Sequence, residues 1–278
     1  MSCLRGLIVI PARLHSTRLP RKMLLAQTGK PLVIHTWEAA CASRRAEAVF
    51  IATDSHEIAE VAAAFGAQVI LTPVNLRSGT DRVAQAVRIL LENGGGVPEV
   101  VVNLQGDEPE IDPTAIDHLV DLLASDPIAD MATLATPIRS KQVLFDPACV
   151  KVVFRTDGTA LYFSRSPIPC PRTWEDTLLT KEPPLFWQHV GIYAYRVKSL
   201  FRFTSLPPAD IEATESLEQL RALWHGMTIK VGIVAEHSGG IDTPADYSAF
   251  LARYHARLAQ GLPTSSIHAP AAQSVPKV

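Results

Sequence analysis

The chain has 278 residues, 47% of them hydrophobic and 19% charged, enough for a real core and unlike an intrinsically disordered chain. With 26 Lys and Arg against 28 Asp and Glu, the net charge of −2 excludes a generally basic nucleic-acid binder. No apolar run approaches the ~20 residues of a membrane span, and the four cysteines form no C-x-x-C pair, as expected of reduced thiols in a cytoplasmic protein. In chain order, a continuous apolar run at 7–10 and further runs at 49–52, 68–71 and 100–104 predict buried strands. Helical patterns follow them at about 31–42, from a cap at Asp54 and Ser55 to 65, and at 80–91 and 113–123. This alternation predicts an α/β fold with a mostly parallel, Rossmann-like central sheet and helices on both faces. The second half predicts strands of mixed or antiparallel type at 131–136, 150–154, 160–163 and 190–195, around a Pro-rich irregular excursion at 166–186. Helices at about 214–224 and 244–258 flank a strand at 229–234, and the Ala/Pro/Ser-rich residues 261–278 predict a disordered tail. Residues 1–260 are thus expected to form a single α/β domain.

The near-neutral total hides a split. Residues 1–37 hold Arg5, Arg13, Arg18, Arg21, Lys22 and Lys30 and no acid, while the remainder holds 20 basic against 28 acidic residues. Such a basic segment beside an acidic body points to a local anion site.

In a parallel sheet, ligands sit beyond the carboxyl ends of the strands. The segments there read PARLHSTRLPRK, ATDS, RSGTDR and LQGDEP. The first brings Arg13, Ser16, Thr17, Arg18 and Lys22, cations and hydroxyls that suit the oxygens of a triphosphate; a solvated basic loop has the same composition. It matches neither G-x-x-x-x-G-K-[ST] nor G-x-G-x-x-G, so P-loop and dinucleotide-binding readings lose their support. Asp107 follows a buried run and is placed to hold Mg²⁺ with substrate phosphates; the same turn is ordinary helix entry, with Asp107 or Asp112 as a cap. Asp242 is a second candidate ligand, although Thr243 before Pro244 has the look of an N-cap. Ser78 and Gly79 allow close approach to a base or ribose and equally suit a turn or cap. Arg165 can pair with a carboxylate bidentately. His189 alone reads as a satisfied structural histidine. The sequence holds no H-E-x-x-H, G-x-S-x-G or Cys/His zinc spacing, against zinc-hydrolase and serine-esterase readings.

In order, IPARLHSTRLPRK, ATD, SGTDR, NLQGDEP, FSRSPIP, HVGIYAYR, LEQLRALW and IDTPAD resemble the motifs of the 3-deoxy-manno-octulosonate (Kdo) cytidylyltransferases, over about residues 7–250. The resemblance implies a nucleotidyltransferase fold and the Mg²⁺-dependent reaction CTP + Kdo → CMP-Kdo + diphosphate, which activates Kdo for lipopolysaccharide biosynthesis. It implies that Arg13, Ser16, Thr17, Arg18 and Lys22 bind the CTP phosphates, Lys22 near the reacting one, and that Ser78 and Gly79 lie near cytosine and ribose. Asp107 and Asp242 would hold Mg²⁺. Lys22, Arg13, Asp107 and Asp242 would form the catalytic set. Gln105, Arg165, His189, Tyr193, Glu218 and Gln219 would surround the sugar, Arg165 and His189 nearest its acid and hydroxyls. It further implies a homodimer formed with help from about residues 160–225, and neither a nucleic-acid nor a membrane partner.

Two positions depart from the family pattern: Arg21 stands where a Gly is common, and Ala194 replaces the second Gly of G-I-Y-G-Y. The competing enzyme reading is a cytidylyltransferase for another acidic sugar, 8-amino-Kdo or a sialate. From another class, a non-catalytic nucleotide or nucleic-acid binder could use the same Arg-rich start, against which the net −8 of residues 38–278 speaks.

Overall fold

The uninterrupted apolar run at 7–10 becomes a strand with no exposed face. In the computed structural model, which describes residues 4–261, β1 (Gly6–Ala12) is buried along its whole length. It pairs in parallel with β2 (Ala46–Thr53), which pairs in parallel with β3 (Gln68–Leu71), Ile10 facing Ile51 and Ile51 facing Val69. Helices α1 (Leu32–Cys41), α2 (His56–Ala64) and α3 (Gly79–Glu92) connect and cover these strands. Ser55 caps α2 by accepting a hydrogen bond from the Ile58 amide at 3.3 Å. Asp54, expected to share that cap, instead pairs with Arg82 at 2.9 Å, because a buried guanidinium needs a counter-charge more than an exposed helix end does. The predicted tail lies outside the described residues from position 262 on.

The described residues divide into two compact units. One comprises Arg5–Gly96, Asn103–Asp117 and the segment from Ser238; the other comprises Val97–Val102 and His118–His237. Strand β4 (Val100–Asn103) and helix α4 (Pro113–Ser125) run through the division.

Within the first unit, α9 (Pro244–Ala259) is fixed by a reciprocal cap. Thr243 Oγ1 accepts from the Asp246 amide at 3.2 Å, and Asp246 Oδ2 accepts from the Thr243 amide at 2.8 Å. Its inner face places Tyr247 and Phe250 against Leu19, Leu32 and Ile241. The residues just before α9 are thereby anchored to the loop that follows β1.

The second unit has the mixed pairing expected. β5 (Met131–Pro137) is antiparallel to β8 (Trp187–Arg196) and parallel to β9 (Ile229–Ile233), and β6 (Lys151–Phe154) is antiparallel to β7 (Ala160–Ser164). Helices α5 (Lys141–Phe145) and α6 (Val197–Ser205) are not legible in the sequence pattern. The single helix predicted over 214–224 is two, α7 (Asp210–Glu215) and α8 (Gln219–Trp224), broken at Ser216 with φ 51°. Arg165 explains the break. Its Nε donates to the Glu215 carbonyl at 2.7 Å and its Nη2 to the Ser216 carbonyl at 3.3 Å, so it occupies acceptors that a continuous helix would use.

Candidate functional site

The polar segments that follow the strands of the first unit surround a cavity of about 480 Å³. Ten predicted residues line it: Arg13, Ser16, Thr17, Arg18 and Lys22 after β1, Ser78 and Gly79 at the start of α3, Gln105 and Asp107 after β4, and Asp242 before α9. Several of these side chains also hold the local backbone. Ser78 caps α3, accepting from the Asp81 amide at 3.1 Å. A Cβ added to Gly79 would lie 3.4 Å from Gln105 Oε1, so the glycine admits the Gln105 amide close to the helix start. Gln105 Nε2 donates to Asn103 Oδ1 at 3.0 Å, which fixes the orientation of that amide. Gly106 is needed for close approach, since a Cβ there would stand 3.1 Å from Met23 Sδ and 3.2 Å from the Pro11 carbonyl.

Lys22 is the electrostatic centre. It is buried, and its Nζ donates to Asp107, to Asp242 Oδ1 at 2.9 Å and to the Ile241 carbonyl at 3.0 Å. Burial, the largest single influence, pulls its pKa down, but the two carboxylates outweigh it and the net shift is upward from 10.5. The lysine is therefore fully charged at neutral pH. Arg18 pairs with the other oxygen of Asp242 at 2.9 Å. The Ile241 amide donates to the Asp107 carbonyl at 2.9 Å, so the two acid-bearing loops are tied through backbone as well as through Lys22.

Two further cations line the cavity that the sequence motifs do not assign, Arg77 and Arg82. Both flank the S-G-T motif, and that position is the signal that could have found them. Arg82 is buried between Asp54 and Thr72 and ties two post-strand segments together. Five cations, Arg13, Arg18, Lys22, Arg77 and Arg82, thus face two acids, Asp107 and Asp242, across the lining. Asp54 already balances Arg82, which leaves an excess of two positive charges, suited to a polyanionic ligand.

Arg21 does not line the cavity; its guanidinium turns to Glu57 on α2. The residue is held at φ 57°, the left-handed region that favours glycine. Arg21→Gly should relieve about 1 kcal/mol of backbone strain, against at most about 1 kcal/mol from an exposed ion pair. The expected result is a Tm unchanged or slightly raised and an unaltered KM for CTP, the substrate the resemblance implies, read by thermal unfolding and steady-state kinetics. A rise in that KM would show that Arg21 contributes to binding.

Arg165, His189, Tyr193, Glu218 and Gln219 all belong to the second unit. The Arg165 guanidinium donates to the carbonyls of Glu215, Ser216 and Pro147, and its own carbonyl accepts from the buried Lys151. Among the described residues it pairs with no carboxylate through its side chain, although its amide donates to Glu215 Oε2 at 2.8 Å. Gln219 is buried at the start of α8, and Glu218 precedes it, 3.9 Å from Arg221. His189 and Tyr193 are neighbours on β8, with ring centroids 5.5 Å apart. Burial, then Tyr195 and Glu218, push the Tyr193 phenol well above its ordinary pKa.

Burial and the nearby His237 lower the His189 pKa to about 3, and burial with Lys30 lowers that of His35 on α1 to about 4. Both rings are therefore neutral in the fold. Because the folded values lie below the unfolded 6.5, protons bind the unfolded chain first as pH falls. The associated stability is present at pH 7 and is lost below 6.5, down to about 4 for His35 and about 3 for His189. Between pH 7 and pH 5 the pair should cost roughly 4 kcal/mol of unfolding free energy by urea titration, and His189→Gln should halve that loss. A flat profile over this interval would contradict the neutral, buried assignment.

The carboxylates of Asp107 and Asp242 converge on one positive centre, Lys22 Nζ. Two convergent carboxylates beside a cationic cavity fit Mg²⁺, which commonly takes one or two carboxylates and fills its shell with phosphate and water. Among the described residues no group of three or more His, Cys, Asp or Glu could hold a metal, so zinc-type ligation has no counterpart there.

The model of the family described as cytidylyltransferase matches residues 7–229. The chain belongs to the cytidylyltransferase family. The 3-deoxy-manno-octulosonate cytidylyltransferase of Rhodopirellula baltica is 46% identical over 251 residues, covering 90% of this chain and 98% of that one. That of Chloroherpeton thalassium is 44% identical over 261 residues, covering 93% and 100%. Among solved structures, CMP:2-keto-3-deoxy-manno-octonic acid synthetase complexed with CTP superimposes with a TM-score of 0.80 at 40% identity, over 93% of this chain and 100% of that one. The α/β fold is thus that of a nucleotidyltransferase. In this cytidylyltransferase, Asp242 lies beyond the region matched by the family model, yet it supplies half of the acid pair around Lys22.

Proposed function

We propose that the protein transfers a cytidylyl group from CTP to 3-deoxy-manno-octulosonate, giving CMP-Kdo and diphosphate for lipopolysaccharide biosynthesis. The observation that carries this reading is the cationic cavity whose lining includes the Lys22, Asp107 and Asp242 cluster, in a chain 46% identical to a protein of that name.

In this reading, Arg13, Ser16, Thr17, Arg18 and Lys22 hold the triphosphate, and Ser78 and Gly79 flank the cytosine and ribose. Gln105, Arg165, His189, Tyr193, Glu218 and Gln219 hold the sugar. The anomeric hydroxyl oxygen of Kdo forms a bond to the α-phosphorus while the bond to the diphosphate oxygen breaks in line, and the hydroxyl proton passes to solvent. Little covalent chemistry falls to the protein, so its contribution is placement and charge. Lys22, Arg13 and Arg18 offset the charge that moves onto the leaving diphosphate. Asp107 and Asp242 are the residues that would hold Mg²⁺. When bound, the ion supplies charge neutralisation at phosphate and lowers the pKa of the attacking hydroxyl. A cytoplasmic location and a homodimer, formed with help from residues 160–225, complete the reading. No helix among the described residues is long and apolar enough to cross a membrane.

The test is diphosphate release from each of the four nucleoside triphosphates, with and without Mg²⁺, against Kdo, 8-amino-Kdo and a sialate. Release confined to CTP with Kdo and Mg²⁺ is the expected result. Preference for another acidic sugar would redirect the assignment, and no release with any pair would refute it.

A further inference from the structure

Strand β8 is not regular where it meets β5. Thr133 faces Tyr193, but the next residue, Leu134, faces Val190, so Gly191 and Ile192 form a bulge between them. In a regular strand, side chains four residues apart are separated by about 13 Å; here the rings of His189 and Tyr193 are 5.5 Å apart. Bulges of this kind re-aim side chains beside functional sites.

The bulge is held by one hydroxyl. Thr133 is fully buried, and its Oγ1 lies 3.0 Å from the Val190 carbonyl, 2.9 Å from the Ile192 carbonyl and 2.9 Å from His189 Nε2. A hydroxyl has a single proton, and carbonyl oxygens can only accept. The Thr133 proton therefore goes to a carbonyl, and the oxygen presents a lone pair to Nε2, which must carry the hydrogen. In a neutral imidazole the lone pair then sits on Nδ1. Nδ1 bonds no group among the described residues, and no buried side-chain polar atom there is left unpaired, so Nδ1 is not sealed inside the protein and keeps its lone pair for another partner.

We propose that Thr133 is a positioning residue that holds His189 as the Nε2–H tautomer, so that Nδ1 accepts a hydrogen bond from a sugar hydroxyl and turns away a carboxylate. The sugar-facing step rests on the reading above that His189 contacts Kdo; the tautomer does not. The strongly lowered pKa of His189 agrees, because it keeps the ring neutral throughout the working range. Between the two groups the resemblance gives to His189, acid and hydroxyls, this chemistry selects the hydroxyls.

Long-range ¹H–¹⁵N correlation of histidine-labelled full-length protein at pH 7, without substrate, reads the tautomer directly. Hydrogen on Nε2 of His189 is expected; hydrogen on Nδ1 would overturn the proposal. Thr133→Val should scramble the tautomer and raise the KM for Kdo about tenfold, with the KM for CTP changed by less than about twofold. Thr133→Ser, which keeps the hydroxyl, should restore both. An unaltered tautomer in Thr133→Val would overturn the role of Thr133. Should that variant fail to fold, the wild-type spectrum and a Thr133→Ser spectrum matching it carry the test, and a mismatch counts against it. An unchanged KM for Kdo in His189→Gln would overturn the sugar-facing step together with the site reading, whereas the spectrum judges the tautomer by itself.

Discussion

Asp107→Asn is expected to lower kcat about a thousandfold while leaving the fold in place. The substitution keeps the shape of the side chain and removes its charge. Lys22 retains Asp242 and the Ile241 carbonyl as partners, and the Asp107 carbonyl still accepts from the Ile241 amide, so the two loops stay joined. What is lost is one of the two carboxylates that converge beside the cavity, and with it most of the capacity to hold a divalent ion there. Initial rates of diphosphate release across a Mg²⁺ titration give the measurement, with circular dichroism as the control for folding. Near-normal turnover at saturating CTP and Mg²⁺ would remove Asp107 from the reacting centre.

Lys22→Met should be more damaging, and in a different way. The methionine matches the length of the lysine stem but leaves Asp107 and Asp242 facing each other without the shared cation. Breaking a fully buried pair costs about 3–5 kcal/mol. Asp242 is nearly half exposed and keeps Arg18, so a loss of about 2 kcal/mol is the better expectation. Catalysis should fall by about 10³-fold or more, since in the proposed reading the variant also loses a cation at the reacting phosphate. Millimolar Mg²⁺ should raise the Tm of Lys22→Met more than that of the wild type, because the freed carboxylates bind the ion without competition from the ammonium. Because the folded pKa of Lys22 lies above its unfolded value, the wild-type contribution is complete below about pH 10 and is lost only as pH rises through the folded value. The difference between wild type and variant should therefore be constant from pH 6 to 9. Equal stability of the two proteins would show that the carboxylates do not need Lys22.

Much of this arrangement is legible in the amino-acid sequence alone. The runs at 7–10 and 49–52 stand out as unbroken apolar stretches, 68–71 departs from this only at Gln68, and the strand of the first, β1, is buried along its whole length with no polar alternation to blur it. Positions after the strands are legible for a related reason, because parallel pairing sends all their carboxyl ends the same way. Helix α6 is not legible. Its sequence continues the β-branched and aromatic composition of β8, and Arg196 at its start offers no side-chain cap. The break at Ser216 is hidden because its cause, Arg165, lies fifty residues away in sequence. The partners of Lys22 are hidden in a similar way. A basic loop and two acids each read as a phosphate or metal ligand, and only the fold shows that they first neutralise one another. Thr133 sits in an ordinary apolar strand, and its part emerges only from the bulge in the facing one.

The union of Lys22 with Asp242 spans 220 residues of chain. During synthesis the loop after β1 leaves the ribosome long before Asp242, and Lys22 stays electrostatically incomplete until the segment around Gly239-Gly240-Ile241 follows and α9 docks through Tyr247 and Phe250. Contacts of such high separation close late. A nascent chain can therefore build its parallel strands early, yet it completes the acid pair around Lys22 only after residues 239–250 have been made. Local unfolding of α9 in the finished protein would undo the acid pair in the same way, leaving those strands intact.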